Sequence, residues 1–497
     1  MINPQEFAHL AAQGFNRIPL VAEAFADLET PLSLYLKLCS EAPRNSFLLE
    51  SVVGGERFGR YSFIGLPART LIRATGQLAE VVTDGAVVER HEGNPLDFIS
   101  AYQERIKPSI PTGLPRFCGG LAGYFGYEAV RSMERRVAGV QKEGGIGTPD
   151  ILLLLSEEVA VIDNLQGRIY LIVWADPAEV DAYGKAAQRL QELLARLKRS
   201  IEAPQVPPSA PQEVTRGFAK ADYIAAVLRA KEYIAAGDLM QVQVGQRIEK
   251  PYTAEPIALY RALRTLNPSP YMYFYDLGDF QIVGASPEIL VREEHAVDGE
   301  GKRSRKVTIR PLAGTRPRGA TPERDQELEV ELKADPKERA EHLMLIDLAR
   351  NDIGRIARIG SVKVTQAFVV ERYSHVMHIV SNVEGVLRPE VGQLEVLKAT
   401  FPAGTLTGAP KVRAMELIDE LEPVQRGIYG GACGYLSFAG DMDLAIAIRT
   451  GIIKNGKLYV QAAAGVVADS VPELEWQETE AKARALLRAA ELVEQGF

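Results

Sequence analysis

Cysteine is scarce in this sequence. The 497 residues include three, Cys39, Cys118 and Cys433, which are widely spaced. An odd number without any CxxC spacing excludes a disulfide framework and a cysteine-rich metal motif. Such sparing use of cysteine is typical of a reducing compartment, so we expect a cytoplasmic protein.

Long apolar runs and targeting segments are also missing. The longest aliphatic run, Ile151 to Leu155, is far too short to cross a bilayer. The first residues, MINPQEFAHLAAQGF, contain no basic stretch followed by an apolar core, so no signal peptide is expected. We therefore expect no association with membranes.

Positive charge is not in excess. Lysine and arginine number 57 against 65 aspartate and glutamate residues, which gives a net charge of −8. This balance argues against binding of nucleic acid, whose phosphates require clustered basic side chains. With 46% hydrophobic and 25% charged residues, the chain is globular and long enough for two sizeable domains or one large bilobed one. Any anionic ligand must then be bound by a few local cations.

Proline is concentrated in residues 202–214, EAPQVPPSAPQEV, which we interpret as a linker. Before it, runs such as SFLLESVV and RIYLIVWA predict a mixed, β-rich region with few helices. After it, strands and helices mix without regular βαβ alternation, and tight turns such as Asn455-Gly456 favour antiparallel pairing. The sequence therefore predicts an α+β fold of large, mostly antiparallel sheets covered by helices, divided into regions 1–201 and 215–497.

Two glutamate pairs at helical spacing lie in segments more than a hundred residues apart. Glu338 and Glu341 form one pair, Glu475 and Glu478 the other, and each pair follows a proline that predicts a helix start. Residues three apart share a helix face, and four carboxylates brought together would require a cation, for which Mg²⁺ is suited. The alternative is ordinary capping, with Asp335 as N-cap and acidic residues in the first turn. Spacing alone favours that alternative.

Three further segments carry candidate functional residues. The glycine-rich turn GTLTGAPK, residues 404–411, precedes a helix, and its free backbone N–H groups can cradle an anion. Arg449 in AIAIRT is expected on the same strand face as neighbouring alanines, either in a structural ion pair or free to bind a carboxylate. Lys482 follows Glu478 by four residues, the spacing of a routine helix ion pair.

Two single residues suit acid–base chemistry. Glu288 follows a turn in GASPE, where burial would raise its pKa and make the carboxyl a proton donor. His378 lies in the alternating run HVMHIV, for which an ordinary core histidine is the alternative interpretation.

These segments together resemble the motifs of a known family. The residues concerned are GASPE, RPLAGTRPRG, DPKERAEHLMLIDLARND, YSHVMHIVS, GTLTGAPK, YGGACGY, AIAIRT, AAAGVV and ELEWQETEAKA, with a weaker match in LLES and GRYSFIG. The chain resembles the chorismate-utilising enzymes, and among them the large, aminating subunits of anthranilate synthases. The resemblance implies sheets packed as a sandwich, an effector- and partner-binding region at 1–201 and a catalytic domain at 215–497.

The resemblance also implies the roles of the site residues. Glu288 would be the general acid that protonates the departing ring hydroxyl, while ammonia adds at the neighbouring conjugated carbon. His378 would assist the later elimination of pyruvate. Mg²⁺ would be held against the ring carboxylate of chorismate by Glu338, Glu341, Glu475 and Glu478. The substrate-binding residues would be Gly314, Thr315, Tyr429, Arg449, Ala464, Gly465 and Lys482.

Two positions distinguish members of this family. Relatives that add water carry a lysine base where this chain has Gln241, and relatives that make 4-amino-4-deoxychorismate carry a nucleophilic lysine where it has Ala313. Both residues suit ammonia as the nucleophile, with anthranilate and pyruvate as products, at the first step of the tryptophan branch. The alternatives are a 4-amino-4-deoxychorismate-forming subunit of folate synthesis and a non-catalytic, tryptophan-responsive binding protein.

The resemblance finally implies partners and an effector. Cys433 in GGACGYL lacks the second glycine of a glutaminase elbow, so a separate glutamine amidotransferase subunit, component II, is expected, in a heterotetramer of two large and two small subunits. Tryptophan is expected as a feedback inhibitor, with Glu50 paired to its amino group. The pocket would be formed by Leu49, Glu50, Ser51, Pro270, Tyr271 and Met272.

Overall fold

The computed structural model describes residues 2–39, 41, 44–51, 59–139, 142–202, 204–297, 303–373 and 376–497. Ser374 and His375 of the YSHVMHIVS motif, and Ala203 of the proline-rich stretch, lie outside the described residues. Every predicted site residue lies within them.

The strands form two twelve-stranded sheets, and neighbouring strands pair antiparallel throughout both. In chain order they are β1 (Ile18–Phe25), β2 (Ser46–Glu50), β3 (Tyr61–Gly65), β4 (Thr70–Thr75), β5 (Leu78–Thr83), β6 (Ala86–Glu92), β7 (Gly120–Phe125), β8 (Ile151–Ser156), β9 (Glu158–Asp163), β10 (Arg168–Ala175), β11 (Thr215–Arg216), β12 (Gln241–Pro251), β13 (Tyr271–Asp276), β14 (Phe280–Ser286), β15 (Ile289–Val297), β16 (Arg303–Ile309), β17 (Leu312–Pro317), β18 (Lys363–Arg372), β19 (Val376–Val386), β20 (Gly408–Ala409), β21 (Ala432–Ser437), β22 (Met442–Ile446), β23 (Thr450–Lys454) and β24 (Lys457–Val466).

The order of strands shows how the two sheets are built. The first sheet runs β1-β10-β9-β3-β2-β13-β14-β23-β24-β12-β11, with β20 paired to β12. The second runs β17-β19-β16-β15-β22-β21-β7-β8-β4-β5-β6, with β18 paired to β19. The Asn455-Gly456 turn joins β23 to β24, and the positive φ of both residues, 51° and 71°, is what a tight hairpin turn requires.

Helices cover the outer faces of both sheets. They are α1 (Pro4–Ala12), α2 (Pro31–Cys39), α3 (Pro95–Glu104), α4 (Ala182–Leu197), α5 (Lys220–Ala235), α6 (Pro256–Leu266), α7 (Pro322–Ala334), α8 (Pro336–Gly354), α9 (Gln393–Thr400), α10 (Lys411–Leu421) and α11 (Pro472–Gln495). Within the described ranges, none of these helices combines the length and apolar character needed to cross a membrane.

An aromatic core lies between the two sheets. Phe63 of the first sheet meets Tyr435 of the second edge-on, with ring centroids 5.5 Å apart, and Phe117 packs on Tyr435 at 4.4 Å. One further core lies between the first sheet and its helices, and another lies between the second sheet and its helices. The predicted α+β fold, a sandwich of large antiparallel sheets covered by helices, is confirmed.

Both sheets take strands from before and after the proline-rich stretch. Leu49 of β2 pairs with Tyr273 of β13, and Tyr124 of β7 pairs with Cys433 of β21. The N-terminal region is therefore antiparallel rather than mixed, and it shares its sheets with the rest of the chain. The boundaries at 201 and 215 stay a prediction; residues 204–214 themselves form neither helix nor strand.

Candidate active site

The site is built where the chain crosses from one sheet to the other. Glu288 lies between β14 of the first sheet and β15 of the second, and Arg449 lies between β22 of the second and β23 of the first. The two crossings are adjacent, because Ala285 N donates to Arg449 O at 3.1 Å and Ile446 N donates to Glu288 O at 3.0 Å. Sheet topology thus brings a carboxyl and a guanidinium together from positions far apart in sequence.

Arg449 corrects one detail of the sequence interpretation. It does not lie on a strand face, because β22 ends at Ile446, and its own φ is +49°. Burial lowers the pKa of Arg449, and the described residues place no carboxylate within ion-pair distance of it. Arg449 was expected either in a structural ion pair or free to bind a carboxylate. The geometry disfavours the structural ion pair.

Glu288 is buried, with 6% of its surface exposed. Burial raises the pKa of this carboxyl to about 8, while a contact with Thr405 and the charges of Arg449 and Lys482 oppose the shift. At neutral pH the group therefore holds its proton and can act as an acid.

His378 is held in one tautomer beside a bulge in β17. Its Nδ1 lies 3.0 Å from the carbonyl oxygen of Gly314 and 3.1 Å from Thr315 Oγ1. Burial, with the charge of Arg449, lowers the pKa of His378 to about 4, so the ring is neutral. Nε2 is buried and has no hydrogen-bond partner among the described residues. The histidine is thus a neutral base with one unpaired lone pair.

The two glutamate pairs lie near the predicted starts of α8 and α11, with Glu338 and Glu475 in the first turns and Glu341 and Glu478 one turn further on. Asp335 caps α8, its side chain accepting from Lys337 N at 3.0 Å and Glu338 N at 3.2 Å, so the capping interpretation holds for Asp335 itself. Burial, followed by the neighbouring Glu341, raises the pKa of Glu338. Burial is also the main cause that raises the pKa of Glu475. These carboxylates carry negative charge that their surroundings do not fully compensate.

The pairs are connected, but they do not close into one cluster. Glu341 Oε1 accepts from Gln241 Nε2 at 3.4 Å, and the charge of Lys337 on α8 acts on Glu475 on α11. Yet no group of three acidic, histidine or cysteine side chains in the described residues is placed to hold a metal. Glu478 instead pairs with Lys482 at 2.7 Å, the routine helix pair. The donor chemistry fits Mg²⁺, because all four ligands offered are carboxylates.

The end of β24 lines the site with backbone. Lys482 Nζ donates to Ala463 O at 2.9 Å, and the fully buried Ala464 and the half-buried Gly465 follow along the strand, where Gly465 pairs with Gln243. A Cβ on Gly465 would lie 2.6 Å from Gln241 Nε2, so the glycine makes room for that side chain. Gln241 is itself buried, and its Oε1 has no partner in the described part of the chain.

Sequence reasoning missed Arg426, which holds Tyr429 in place. Its guanidinium, 1% exposed, pairs with Glu422 at 2.6 Å and donates to Leu406 O in the glycine-rich turn at 2.6 Å. It also lies 5.7 Å from the ring centroid of Tyr429. The signal available in the sequence was an arginine three residues before Tyr429, which alone does not reveal a buried pair.

Away from Glu288, a cavity lies between the two sheets, and we call it the effector cavity. It is lined by all six predicted effector residues, Leu49, Glu50, Ser51, Pro270, Tyr271 and Met272, together with Arg292 and Asp443. The Glu50 carboxylate accepts from Arg264 Nε at 2.6 Å and from the Tyr260 hydroxyl, so a ligand amino group would share this carboxylate with Arg264. The role given to Glu50 stays a prediction. Asp443 also lines this cavity, and its carboxylate is paired with Arg292 at 2.8 Å.

Comparison with known proteins identifies the family. Residues 48–488 match the model of the chorismate binding enzymes. The chain belongs to this family. Among curated chorismate-binding relatives, anthranilate synthase component 1 of Neisseria meningitidis serogroup A is 56% identical over 501 residues, with both chains covered in full. The component 1 of Pseudomonas aeruginosa is 55% identical over 99% of each chain.

Solved structures of this family agree. Anthranilate synthase component I from Streptococcus pneumoniae superposes with a TM-score of 0.76 at 38% identity, over 94% of this chain and 99% of that one. The menaquinone-specific isochorismate synthase from Escherichia coli, 19% identical, gives 0.70 over 98% of each chain, which shows the shared fold.

Proposed function

We propose that this chain is the ammonia-using subunit of an anthranilate synthase, a lyase that converts chorismate and ammonia to anthranilate and pyruvate. The observation that carries the proposal is the full-length, 56% match to component 1 proteins. The site residues described above support the same chemistry.

Chorismate is a dianion, and the site offers cations for it. Arg449 lies without a carboxylate within ion-pair distance in the described residues, and the charges of Arg449 and Lys482 both act on Glu288 and on His378. We infer that Arg449, with Tyr429 and Lys482, holds the enolpyruvyl carboxylate. Lys482 would then share its charge between the substrate and Glu478.

The reaction divides between one acid and one base. Glu288 gives its proton to the departing ring hydroxyl, which leaves as water, while ammonia forms the new C–N bond at the conjugated carbon. His378, neutral and fixed through Nδ1 on Gly314, offers Nε2 to the ring proton that is lost when pyruvate is eliminated.

The acidic pairs are assigned to the metal. Glu338, Glu341, Glu475 and Glu478 would hold Mg²⁺, which when bound neutralises the ring carboxylate of the substrate. Gln241 contacts Glu341 at 3.4 Å and cannot deprotonate water, and Ala313 offers no nucleophile. Ammonia is therefore the nucleophile best suited to this site, rather than water or a lysine. The same two residues disfavour the folate alternative.

The nitrogen source is assigned to a partner. Burial raises the pKa of Cys433 to about 12, and the thiol lies within the core between the sheets, so it cannot serve as a glutaminase nucleophile. A glutamine amidotransferase, component II, would supply ammonia in a cytoplasmic heterotetramer of two large and two small subunits. The name component 1 carried by the relatives supports a second component.

We propose that tryptophan inhibits the enzyme by binding in the effector cavity. Ser51, Pro270, Tyr271 and Met272 would contact the indole and the backbone of the ligand, and Glu50 would pair with its amino group. Because the cavity lies between strands of both sheets, a ligand there can favour one arrangement of the site over another.

The function is tested with purified protein, chorismate, Mg²⁺ and ammonium at mildly alkaline pH. We expect fluorescent anthranilate and an equal amount of pyruvate. Glutamine should replace ammonium only when component II is added, and a chelator should stop the reaction. Isochorismate as the product, or full activity in excess chelator, would contradict the proposal.

A further inference from the structure

A small cavity beside Glu288 is lined by two polar side chains, Thr405 and Asp352, whose hydrogen-bonding capacity the described residues do not fill. It has a volume of about 30 Å³ and lies between Glu288, α8 and the glycine-rich turn. Asp352 Oδ1 is buried and has no hydrogen-bond partner in the part of the chain described. Thr405 Oγ1 is buried too, and apart from the contact of its side chain with the Glu288 carboxyl it has no hydrogen-bond partner there. Buried polar atoms are rarely unpaired, and a cavity of this size has room for an ordered water.

Asp352 connects this cavity to the outside of the protein. Its Oδ2 accepts from Lys411 Nζ at 2.8 Å, and Lys411 also donates to Thr400 O at 3.3 Å. The Lys411 side chain is 12% exposed, against 6% for Asp352. One oxygen of the carboxyl is thus held by a lysine near the surface, while the other is free on the buried side.

The charged groups around both carboxyls suit proton exchange. Burial raises the pKa of Asp352, opposed by Lys411 and Arg355. Burial likewise raises the pKa of Glu288, which Arg449 and Lys482 oppose. Tyr373 is the other titratable group that senses the charge of Glu288. Burial therefore shifts the pKa of both carboxyls toward the neutral range, the direction that favours proton transfer between them.

The proposed reaction requires Glu288 to be reloaded in every turnover. Its O–H bond breaks when the ring hydroxyl leaves as water, and a new O–H bond must form before the next chorismate reacts. The nitrogen that has been added releases one proton to solvent, so one proton taken from solvent restores the balance.

We propose that Thr405, Asp352 and water in this cavity form a relay that returns a proton from solvent to Glu288. The proton passes from the Lys411 end to Asp352, then through water and the Thr405 hydroxyl to Glu288. No oxidant or further reactant is needed. The inference rests on the proposed function, in which Glu288 is the acid.

The test compares two near-isosteric variants with two matched controls. Asp352→Asn and Thr405→Val should each lower kcat about 10-fold or more, leave KM for chorismate unchanged and increase the solvent deuterium isotope effect on kcat. Formate should restore part of the Asp352→Asn activity. Asp419→Asn changes another half-buried ion pair, with Arg131 at 3.0 Å. Thr400→Val removes a hydroxyl that lines the same cavity but already donates to Val396 O.

Each outcome decides the inference. Values of kcat equal to those of the controls, or a loss of kcat with an unchanged isotope effect, would overturn it. If Asp352→Asn fails to fold, Thr405→Val decides. If the parent protein makes no anthranilate, the proposed function fails, and the relay is judged by infrared spectroscopy alone. Hydrogen–deuterium exchange of the protonated Glu288 carboxyl should then be slower in Thr405→Val than in Thr400→Val, and equal rates would contradict the relay.

Discussion

His378 Nδ1 lies 3.0 Å from the carbonyl oxygen of Gly314, and this contact fixes which ring nitrogen carries the proton. Nδ1–H donates to Gly314, so Nε2 holds the lone pair, and it is buried without a partner in the described residues. The strand bulge at Gly314, with φ of +69°, turns that carbonyl toward the ring. A local backbone feature thus prepares a neutral base.

The first prediction concerns stability in acid. The pKa of His378 is lowered to about 4, so between its unfolded value near 6.5 and pH 4 the unfolded chain binds a proton that the folded chain does not. This contribution is present above pH 6.5 and is lost as pH falls. Between pH 7 and pH 5 the parent should lose about 2 kcal/mol of unfolding free energy through His378. In urea unfolding, His378→Gln should lose less unfolding free energy between pH 7 and pH 5 than the parent. A variant in which the exposed His9 is replaced by glutamine is the control. Equal losses in all three proteins would refute the assignment.

The second prediction concerns the pH dependence of the rate. Because the pKa of Glu288 is raised to about 8, kcat should fall as pH rises above 8 and the acid loses its proton. Glu288→Gln should lower kcat by about 10² to 10⁴. Glu293→Gln is the control, a buried carboxyl on β15 that pairs with Arg305 at 2.6 Å instead of facing the site. A rate that stays constant to pH 9.5 would show that another group is the acid.

The sequence predicted local features of this site better than its long-range contacts. The starts of α8 and α11 at their prolines and the Asn455-Gly456 turn depend on neighbouring residues alone, and these three predictions are confirmed. The prediction that Arg449 lies on a strand face is wrong, because a crossing between sheets depends on how β14, β15, β22 and β23 pair. A run of small and apolar residues continues through the crossing, so periodicity alone extends the strand.

Several contacts between distant residues also left no sign in the sequence. Tyr260 and Arg264, which are the partners of Glu50, lie more than 200 residues away from it in sequence. The pairing of Asp352 with Lys411 likewise joins two motifs, LARND and GTLTGAPK, that were recognised separately. Spacing identifies such residues as candidates, but only packing shows which partner each one has.

The third prediction concerns space around Gln241. A methyl group on Gly465 would lie 2.6 Å from Gln241 Nε2 and 2.9 Å from Gln243 Nε2. Gly465→Ala should therefore displace Gln241 from Glu341 and lower kcat/KM about 10-fold or more, since small misplacements at a reacting centre are costly. Gly354→Ala is the control, because a Cβ there meets nothing within 4 Å. Steady-state kinetics with ammonium gives the comparison, and a Gly465→Ala enzyme as active as the control would exclude this role for the glycine.

The fourth prediction concerns the effector cavity. Ser51→Phe should fill space in the cavity lined by Ser51, Pro270 and Met272, and so weaken inhibition by tryptophan. Tryptophan is titrated at several chorismate concentrations in the parent, in Ser51→Phe and in Ser209→Phe, which adds the same bulk at an exposed position. Linkage requires chorismate to weaken tryptophan binding in the parent. Inhibition of Ser51→Phe as strong as that of the parent would place the effector elsewhere.

The position of the incorporated nitrogen tests the central claim most directly. The purified chain is given chorismate, Mg²⁺ and ¹⁵N-labelled ammonium, and the product is analysed by mass spectrometry and ¹⁵N nuclear magnetic resonance. The combination of Gln241 and Ala313 with an acid at Glu288 predicts ¹⁵N on the ring carbon adjacent to the carboxylate, in anthranilate, with one pyruvate released for each nitrogen. Nitrogen found para to the carboxylate, or a product without ¹⁵N, would contradict the account.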